Sequence, residues 1–512
     1  MQKRLLFTSF LALSMSAGLV VACSDDDDDV RPTPTPDAGP APDTGTRLPL
    51  TDSGPIAVDA SPDATTGGPV IVPLTSAKIA NAINPYGLVY GSDGLLYVSG
   101  ATQDLTTGAQ QLAAWRYING VLDTTFGVGG IVTVDLPGSE SSLDIVEVSP
   151  NNFVVHANAG GKVFLVKLNN AGGAFAFGTP VFVKLGFDEN EAWPVGTVTT
   201  GSTATPTYAA GGIGIDRSHA GAPKIVVFAS GAPAKAASGG AQRVLADRWI
   251  TRVDATTLVI DPGFNGGVPY TTDSEGKNLT DTARRGLVLA DGSIVSAGYT
   301  NFGAGLGNHV VLVRLLANGT VDPAFGFGTT PPVPGQTKFN PFLGSGGNAE
   351  AYNVARQSSG RYVTAGYGTS NFDAPTRSTD LVSFGVKADG LDTTFGRQGS
   401  FAWQSEQDPG AGVGANAYSE RARDFTLLPD DRIVFGGSYD DSAALFVLTK
   451  DGAKEPNSGV NGLIRYAFAS QFYKVTHSAD GKRVAATAQS TTSTVDGGPV
   501  LGSILVTLKV GE

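Results

Sequence analysis

The chain has 512 residues, a net charge of −12, 68 glycines, 25 phenylalanines and a single cysteine. Acidity without a basic stripe argues against nucleic acid as a partner, and one cysteine permits no disulfide within the chain. That many residues exceed one ordinary core, and sustained helical periodicity is nearly absent, so the composition points to an all-β protein assembled from repeated sheets.

In chain order, the first segment carries Lys3 and Arg4, then an apolar stretch from Leu5 to Leu19, then Val20-Val21-Ala22-Cys23. The apolar run is short for a spanning helix and ends at a small-residue site. Val20–Cys23 resembles the lipobox of bacterial lipoproteins, which implies cleavage before Cys23 and acylation of that residue. Residues 1–22 are therefore expected to be a signal peptide. Residues 23–66 read as a tether: the run Asp25–Asp29 is followed by PTPTPDAGPAPDTG, which cannot bury a core. As semi-extended chain at about 3.1 Å per residue, it would reach on the order of 100 Å.

From residue 67 onward the chain repeats itself. Leu122-Asp-Thr-Thr-Phe-Gly127 recurs unchanged at Leu391–Gly396, with weaker copies at Val321–Gly326 and Ile260–Asn265. Each copy follows an apolar strand, as in Ala113–Ile118, Trp249–Val253, Val310–Leu315 and Leu381–Val386. Further upstream stands a hairpin turn, Asp93-Gly94, Asp291-Gly292 or Ser359-Gly360, leading into another strand. The unit is four strands: a, turn, b, variable loop, c, the phrase, d. Turn positions at Gly94, Asn152, Pro223, Gly292, Gly360, Asp431 and Gly481 mark seven units.

Seven such units predict a seven-bladed β-propeller of four-stranded blades over 67–512. The last unit ends just after its strand c, and Gly67–Leu74 reads like a d strand. The N-terminal strand is expected to close the last blade by pairing near Ile504–Leu508, which would remove an exposed edge. A Gly-, Ala- and Thr-rich stretch, roughly Thr197–Ala222, reads as an insertion in the third unit. In the phrase, Phe126 suits packing between sheets, Asp123 suits a backbone-bonded turn, and Gly127 permits positive φ.

This pattern of strand, Asp-Gly, strand, strand and LDTTFG resembles the delta-60 repeat family of bacterial proteins. The likeness is strongest in the units ending at Gly127, Gly326 and Gly396. It implies a propeller-like fold on secreted or surface proteins and no established activity, so no catalytic residue is assigned.

The four histidines, His156, His219, His309 and His477, fall in different units and lack zinc spacing, so no metal and no cofactor is expected. No nucleophile elbow, phosphate loop or calcium loop is present. One constellation points to a site. Eight residues before the turn positions stand Tyr86, Asp144, Arg284, Tyr352, Arg423 and Tyr473. Strand a lines the axis of a propeller, so these residues are expected at one mouth of the channel. The b–c loops Ala101–Gln111, Ser230–Ala246, Tyr299–Asn308, Tyr367–Thr379 and Gln489–Leu501 are expected around them. Tyr and Arg are frequent binding hot spots. The expected protein is a monomeric, lipid-anchored envelope protein, facing the periplasm or the surface and probing an unidentified protein or glycan. Its only membrane contact would be the lipid, with Ser24 leaning towards the outer membrane. Two alternatives stand beside it: an extracellular propeller enzyme (hydrolase, lyase or quinoprotein-like dehydrogenase) and a purely structural envelope component.

The anchor is testable alone. Wild-type protein is expected to incorporate a fatty-acid probe and sediment with membranes, whereas Cys23→Ala is expected to do neither. Labelling that survives the substitution would rule out the lipobox.

Overall fold

Period-two patterning of Val, Ile, Leu and Phe produces strands that pair antiparallel in every blade, with one short parallel pair, Gly326–Phe327 beside Gln336–Thr337, and a 3-10 turn at Asn265–Gly267. The computed structural model describes residues 71–511 apart from 81, 104–108, 139, 160–161, 184–210, 220, 232–246, 273–280, 302–306, 329–332, 344–346, 371–378, 405–418, 441, 467–468, 491–492, 496–497 and 501. The signal peptide and tether expected over 1–66 lie outside the described residues, as do the centres of the first four b–c loops named above, while in the fifth Ser493–Val495 pairs with Gly498–Val500 as a short hairpin.

The strands form seven blades of a propeller. The inner strands a are Ala82–Tyr90, Glu140–Ser149, Gly212–Asp216, Asp281–Val288, Asn353–Arg356, Glu420–Leu427 and Ala469–His477. Strands b and c follow outward by hairpins, and d completes each blade. The third unit needs a correction. Its inner strand, Gly212–Asp216, lies inside the stretch read as an insertion, because a strand written GIGID carries too few large side chains to stand out.

The ring closes as the chain ends suggested, with a shifted boundary. The closing strand is Ile71–Ala80, and it pairs antiparallel with Gly502–Val510 as strand d of blade 7. Ile71 faces Val510 and Ala80 faces Gly502, with an irregularity between Pro73 and Thr75. Pro73 lacks an N–H, which a strand at the outer edge tolerates. Val510 also donates its N–H to Lys482 in the a–b turn of blade 7. The chain therefore joins the ring on the face of the a–b turns.

Packing follows the ring. The buried apolar residues form seven clusters among the described residues, and each draws on two neighbouring blades. The cluster containing Ile79, Trp115, Ala485 and Leu505 joins blade 1 to blade 7. Each blade is thus stabilised by its neighbours, and an open ring would leave two sheet faces exposed to water.

The repeated phrase is the latch at these junctions. Asp123 accepts bonds on one oxygen from the N–H and hydroxyl of Thr125, and Phe126 donates its N–H to the Asp123 carbonyl. The other oxygen of Asp123 accepts Arg116 Nε at 2.7 Å. The arginine was not anticipated from the sequence. It recurs as Arg252 with Asp261 (2.7 Å) and Arg314 with Asp322 (3.1 Å), each from strand c. In blade 5 the c-strand position is Gly385, and Arg361, at the end of the a–b turn just before strand b (Tyr362–Gly368), pairs with Asp392 instead at 2.7 Å. A Cβ on Gly385 would lie 2.5 Å from Phe395 Cβ and 3.1 Å from Arg361 Cδ, so the glycine makes room for the displaced arginine.

The guanidiniums of Arg116, Arg252 and Arg361 lie 5.1–5.5 Å from the rings of Phe126, Phe264 and Phe395. The phrase phenylalanines pack on the following blade: Phe126 meets Phe175, and Phe325 meets Tyr362 edge-on. Arg252 and Arg361 donate onward to Ala317 O and Lys450 O, both in the next blade. In blade 6, Glu455 and Ser458 replace Asp and Phe and keep the backbone turn, with Glu455 Oε1 accepting from the Asn457 N–H at 3.4 Å.

Phe126→Ala and Phe395→Ala are each expected to cost about 3–5 kcal/mol in denaturant melts, the usual price of emptying a buried aromatic site. The latch also has a pH signature. Burial alone would raise the Asp123, Asp261 and Asp392 carboxyls, but their hydrogen bonds and arginines outweigh it and hold them below the usual range. A carboxyl lowered on folding stabilises the fold above its unfolded value of about 4 and loses that contribution as pH falls through the folded value. Melts between pH 7 and pH 3 are expected to decline below about pH 4. Arg116→Met is expected to flatten that decline.

Candidate functional site

Regular strands point successive side chains to opposite faces. The inner strands break this rule at one level of the axis. Two residues of strand a oppose one of strand b at Leu143, Arg423 and Tyr473, where the register shifts between Ser142 and Asp144, Ala422 and Asp424, and Phe472 and Lys474. Longer shifts fall between Ile83 and Gly87, around Tyr86, and between Ala283 and Gly286, around Arg284 and Arg285. In blade 5, Tyr352 donates its N–H to Ala365, the residue that also faces Asn353. Such bulges re-aim side chains, and here they turn two consecutive residues per blade towards the axis.

The first residue of each pair lines a cavity of about 40 Å³ on the axis. Its walls are Tyr86, Leu143, Gly211, Arg284, Arg285, Tyr352, Arg423 and Tyr473. Five of the six residues singled out from the sequence, Tyr86, Arg284, Tyr352, Arg423 and Tyr473, therefore line one axial cavity, and Tyr86, Arg284, Arg423 and Tyr473 stand midway along their strands rather than at the end of the channel where the spacing put them. The sixth, Asp144, lies one layer below, and Leu143 takes its place in the wall. Gly211 represents the third blade, which the sequence spacing left open.

The walls are cations layered on aromatics. The Arg284 guanidinium lies 4.5 Å from the Tyr352 ring centroid and 5.4 Å from that of Tyr299, and its Nη2 donates to the Tyr299 hydroxyl at 3.0 Å. Arg423 lies 5.3 Å from Tyr352 and 5.4 Å from Tyr367. Tyr352 and Tyr367 share a hydroxyl–hydroxyl bond of 2.6 Å. Tyr86 and Tyr473 stack tilted at 4.6 Å across the first and last blades. Beside the arginines, Glu350 is buried and accepts a bond from Asn308 Nδ2. Burial pushes its carboxyl up, against the pull of Arg284 and Arg423.

The second residue of each pair builds the floor. Lys474 Nζ lies 3.0 Å from Asp144 and 3.6 Å from Asp424, and Arg285 Nη1 lies 3.4 Å from Asp424. Asn353 Nδ2 donates to Asp424 at 2.6 Å, and the Ile213 N–H donates to Asp144 at 3.3 Å. Two acids and two bases from blades 2, 4, 6 and 7 thus meet across the axis. Gly212 makes room for them: a Cβ there would lie 2.9 Å from Arg285 Cγ and 3.0 Å from Asp144 Oδ2. Burial alone would raise the Asp144 carboxyl, but Lys474 and Arg285 hold it below its usual range. A tandem of axis-facing residues is the sequence signal for this floor, as in Arg284-Arg285, Arg423-Asp424 and Tyr473-Lys474.

The histidines stay apart. His156 is fully buried opposite Asp144, neither ring nitrogen has a hydrogen-bond partner, and burial pushes it down to about 4. His477 shares a 2.6 Å bond with Thr426, and His219 lies 3.4 Å from Asp216. Among the described residues no group of His, Cys, Asp or Glu side chains has the geometry to hold a metal ion.

These features define a seven-bladed β-propeller with a Tyr/Arg-lined axial cavity above an ion-paired floor. A family model described as a domain of unknown function (DUF5122) beta-propeller matches residues 289–325, one unit from the a–b turn of blade 4 to Phe325 of its phrase, and supports a bacterial β-propeller repeat family. No curated protein sequence matches the chain. Among solved structures, hydrazine synthase of Kuenenia stuttgartiensis is similar at 12% identity and TM-score 0.45, covering 80% of this chain and 93% of that one. An α-L-arabinofuranosidase of Fusarium graminearum aligns at 8% identity and TM-score 0.38, covering 87% and 98%. A protein from Lactobacillus plantarum aligns at 10% identity and TM-score 0.39, covering 79% and 94%. Likeness at this level carries no information about activity.

The floor makes a direct prediction. Lys474→Met removes a cation shared by two buried carboxylates and is expected to cost about 3–5 kcal/mol in denaturant melts at pH 7. Lowering the pH should narrow the gap to wild type, because protonating Asp144 relieves the uncompensated charge. A variant as stable as wild type at pH 7 would mean that the floor contributes nothing.

Proposed function

We propose that this is a lipid-anchored envelope protein whose propeller is a binding module, taking a protein or glycan partner at the axial mouth. The observation that carries this reading is the convergence of Tyr86, Arg284, Tyr352, Arg423 and Tyr473, drawn from five blades, on one cavity. Side chains of these types dominate interface energetics when they sit in desolvated pockets. A rigid ring that presents variable loops is a common way of building such a site.

The route of the chain supports the orientation. Strand Ile71–Ala80 enters at the a–b turn face and ends beside the start of blade 1, so the mouth lies on the face opposite the entry.

A screen of the full-length chain against glycan arrays and envelope protein fractions tests the reading. Once a partner is in hand, Arg284→Ala and Arg423→Ala are each expected to weaken binding by about 1 kcal/mol or more. Asp389→Asn, on the turn face, is expected to leave binding unchanged. Equal losses from both faces would remove the mouth from consideration.

A further inference from the structure

We propose that His156 is an acid switch for the floor of the axial cavity: neutral, it leaves the floor assembled, and protonated, it becomes a cation that competes with Lys474 and Arg285 for Asp144. This goes beyond the binding reading and does not depend on it.

Position carries the argument. His156 lies on strand b of blade 2, Asn152–Ala159, and is fully buried. It faces Asp144 across the bulge that aims Asp144 into the floor. Neither ring nitrogen has a hydrogen-bond partner among the described residues. Asn158, the next residue on the same face, is also buried, and its Nδ2 lacks a partner too. A buried polar group left unpartnered destabilises a fold and calls for a reason. A ring needed only for packing could be an apolar side chain at no loss.

The surroundings define what the ring can meet. Strand c of blade 2 sets Leu165 opposite it, and Lys167 on that strand turns away to the Thr256 carbonyl. On the face of His156, Val154 packs with Ile213, Ile225 and Val227 of blade 3. The charges of blade 3 are engaged elsewhere: Lys224 with Asp254, Arg248 with Asp281, and Arg252 with Asp216 and Asp261. From across the axis come the two floor bases, Arg285 and Lys474. Among the described residues, Asp144 is the acid placed to receive an imidazolium at position 156.

The direction of the switch follows. Burial pushes His156 down to about 4, against the pull of Asp144. An unfolded histidine titrates near 6.5. The unfolded chain therefore takes up this proton first, and the fold loses stability as pH falls from about 6.5 towards 4. Asp144 stays ionised through that range, because Lys474 and Arg285 hold its carboxyl low. When the proton enters the folded ring, both nitrogens become donors. Asp144 already serves Lys474 at 3.0 Å and the Ile213 N–H at 3.3 Å, so a third claimant displaces one of them. The inner strands of blades 2 and 3 loosen first.

The test uses urea melts of the full-length chain at pH 7 and pH 5, a window in which the latch carboxylates stay largely ionised. His309 and His477 are also held down by burial, so the quantity read is the difference between wild type and variant. Wild type is expected to gain about tenfold or more in its unfolding constant from this ring between the two pH values. His156→Leu is expected to lose that gain and to be no less stable than wild type at pH 7, because it removes no hydrogen bond. Carbon-13 spectra of histidine-labelled wild type, which do not depend on a variant folding, should show one of the four rings still neutral at pH 5. Hydrogen exchange at pH 4, corrected for intrinsic rates, should show Glu140–Ser149 and Gly212–Asp216 less protected in wild type than in His156→Leu, with the outer strands of blades 5 and 6 alike in both. Four rings that all titrate near 6.5, or a folded variant that keeps the full loss of stability from pH 7 to pH 5, would overturn the switch. Exchange that rises equally in every blade would overturn its link to the floor.

Discussion

The contact between a phrase phenylalanine and the next blade carries the architecture. A single blade has two apolar faces and cannot bury either alone. The Arg–Asp pair beneath Phe126, Phe264, Phe325 and Phe395 fixes the turn that aims each ring across the junction. The aspartate is held by backbone and hydroxyl donors, the arginine by the aspartate, and the aromatic ring by the arginine in three of the four copies. Blade 5 shows that the geometry matters more than the sequence position. The arginine moves to the end of the a–b turn, and a glycine at the vacated place admits it.

Closing the ring turns seven local junctions into one cooperative object. The strand Ile71–Ala80 completes blade 7, and the apolar cluster with Trp115 and Leu505 ties it to blade 1. Once the ring is closed, seven inner strands converge on one axis, and their side chains compete for little space. Glycine at Gly87 and Gly212 relieves the crowding in two blades. Bulges in the inner strands of blades 2, 4, 6 and 7 bring side chains in pairs, the first to the wall of the cavity and the second to the floor, with Arg285 reaching both.

The wall and floor differ in what they offer. The floor pairs Asp144, Lys474, Asp424 and Arg285 with one another and so satisfies its own charge. The wall stacks Arg284 and Arg423 on tyrosines, which orients their guanidinium planes. A structural element rests directly beneath one suited to recognition, and a single backbone irregularity per strand separates them.

Much of this was legible in the sequence. The repeat, its seven units, the closing N-terminal strand and five wall residues follow from spacing alone, because each blade reuses one local geometry and equivalent positions meet on the axis. The spacing missed what depends on contacts between blades. It placed Asp144 in the wall, since counting along a strand assumes strict alternation and a bulge at Leu143 breaks it. It lost the inner strand of blade 3 in a Gly-rich stretch, where only pairing with Lys224–Gly231 defines a strand. It gave no sign of the Arg–Asp latch, whose arginine comes from the a–b turn rather than strand c in blade 5. By itself the sequence determined the period, the blade and the order of the ring, because these are properties of local hydrogen bonding and hydrophobic alternation. Only the tertiary structure decided which charges neutralise one another and which line a cavity, because that depends on distances across the axis between residues hundreds of positions apart.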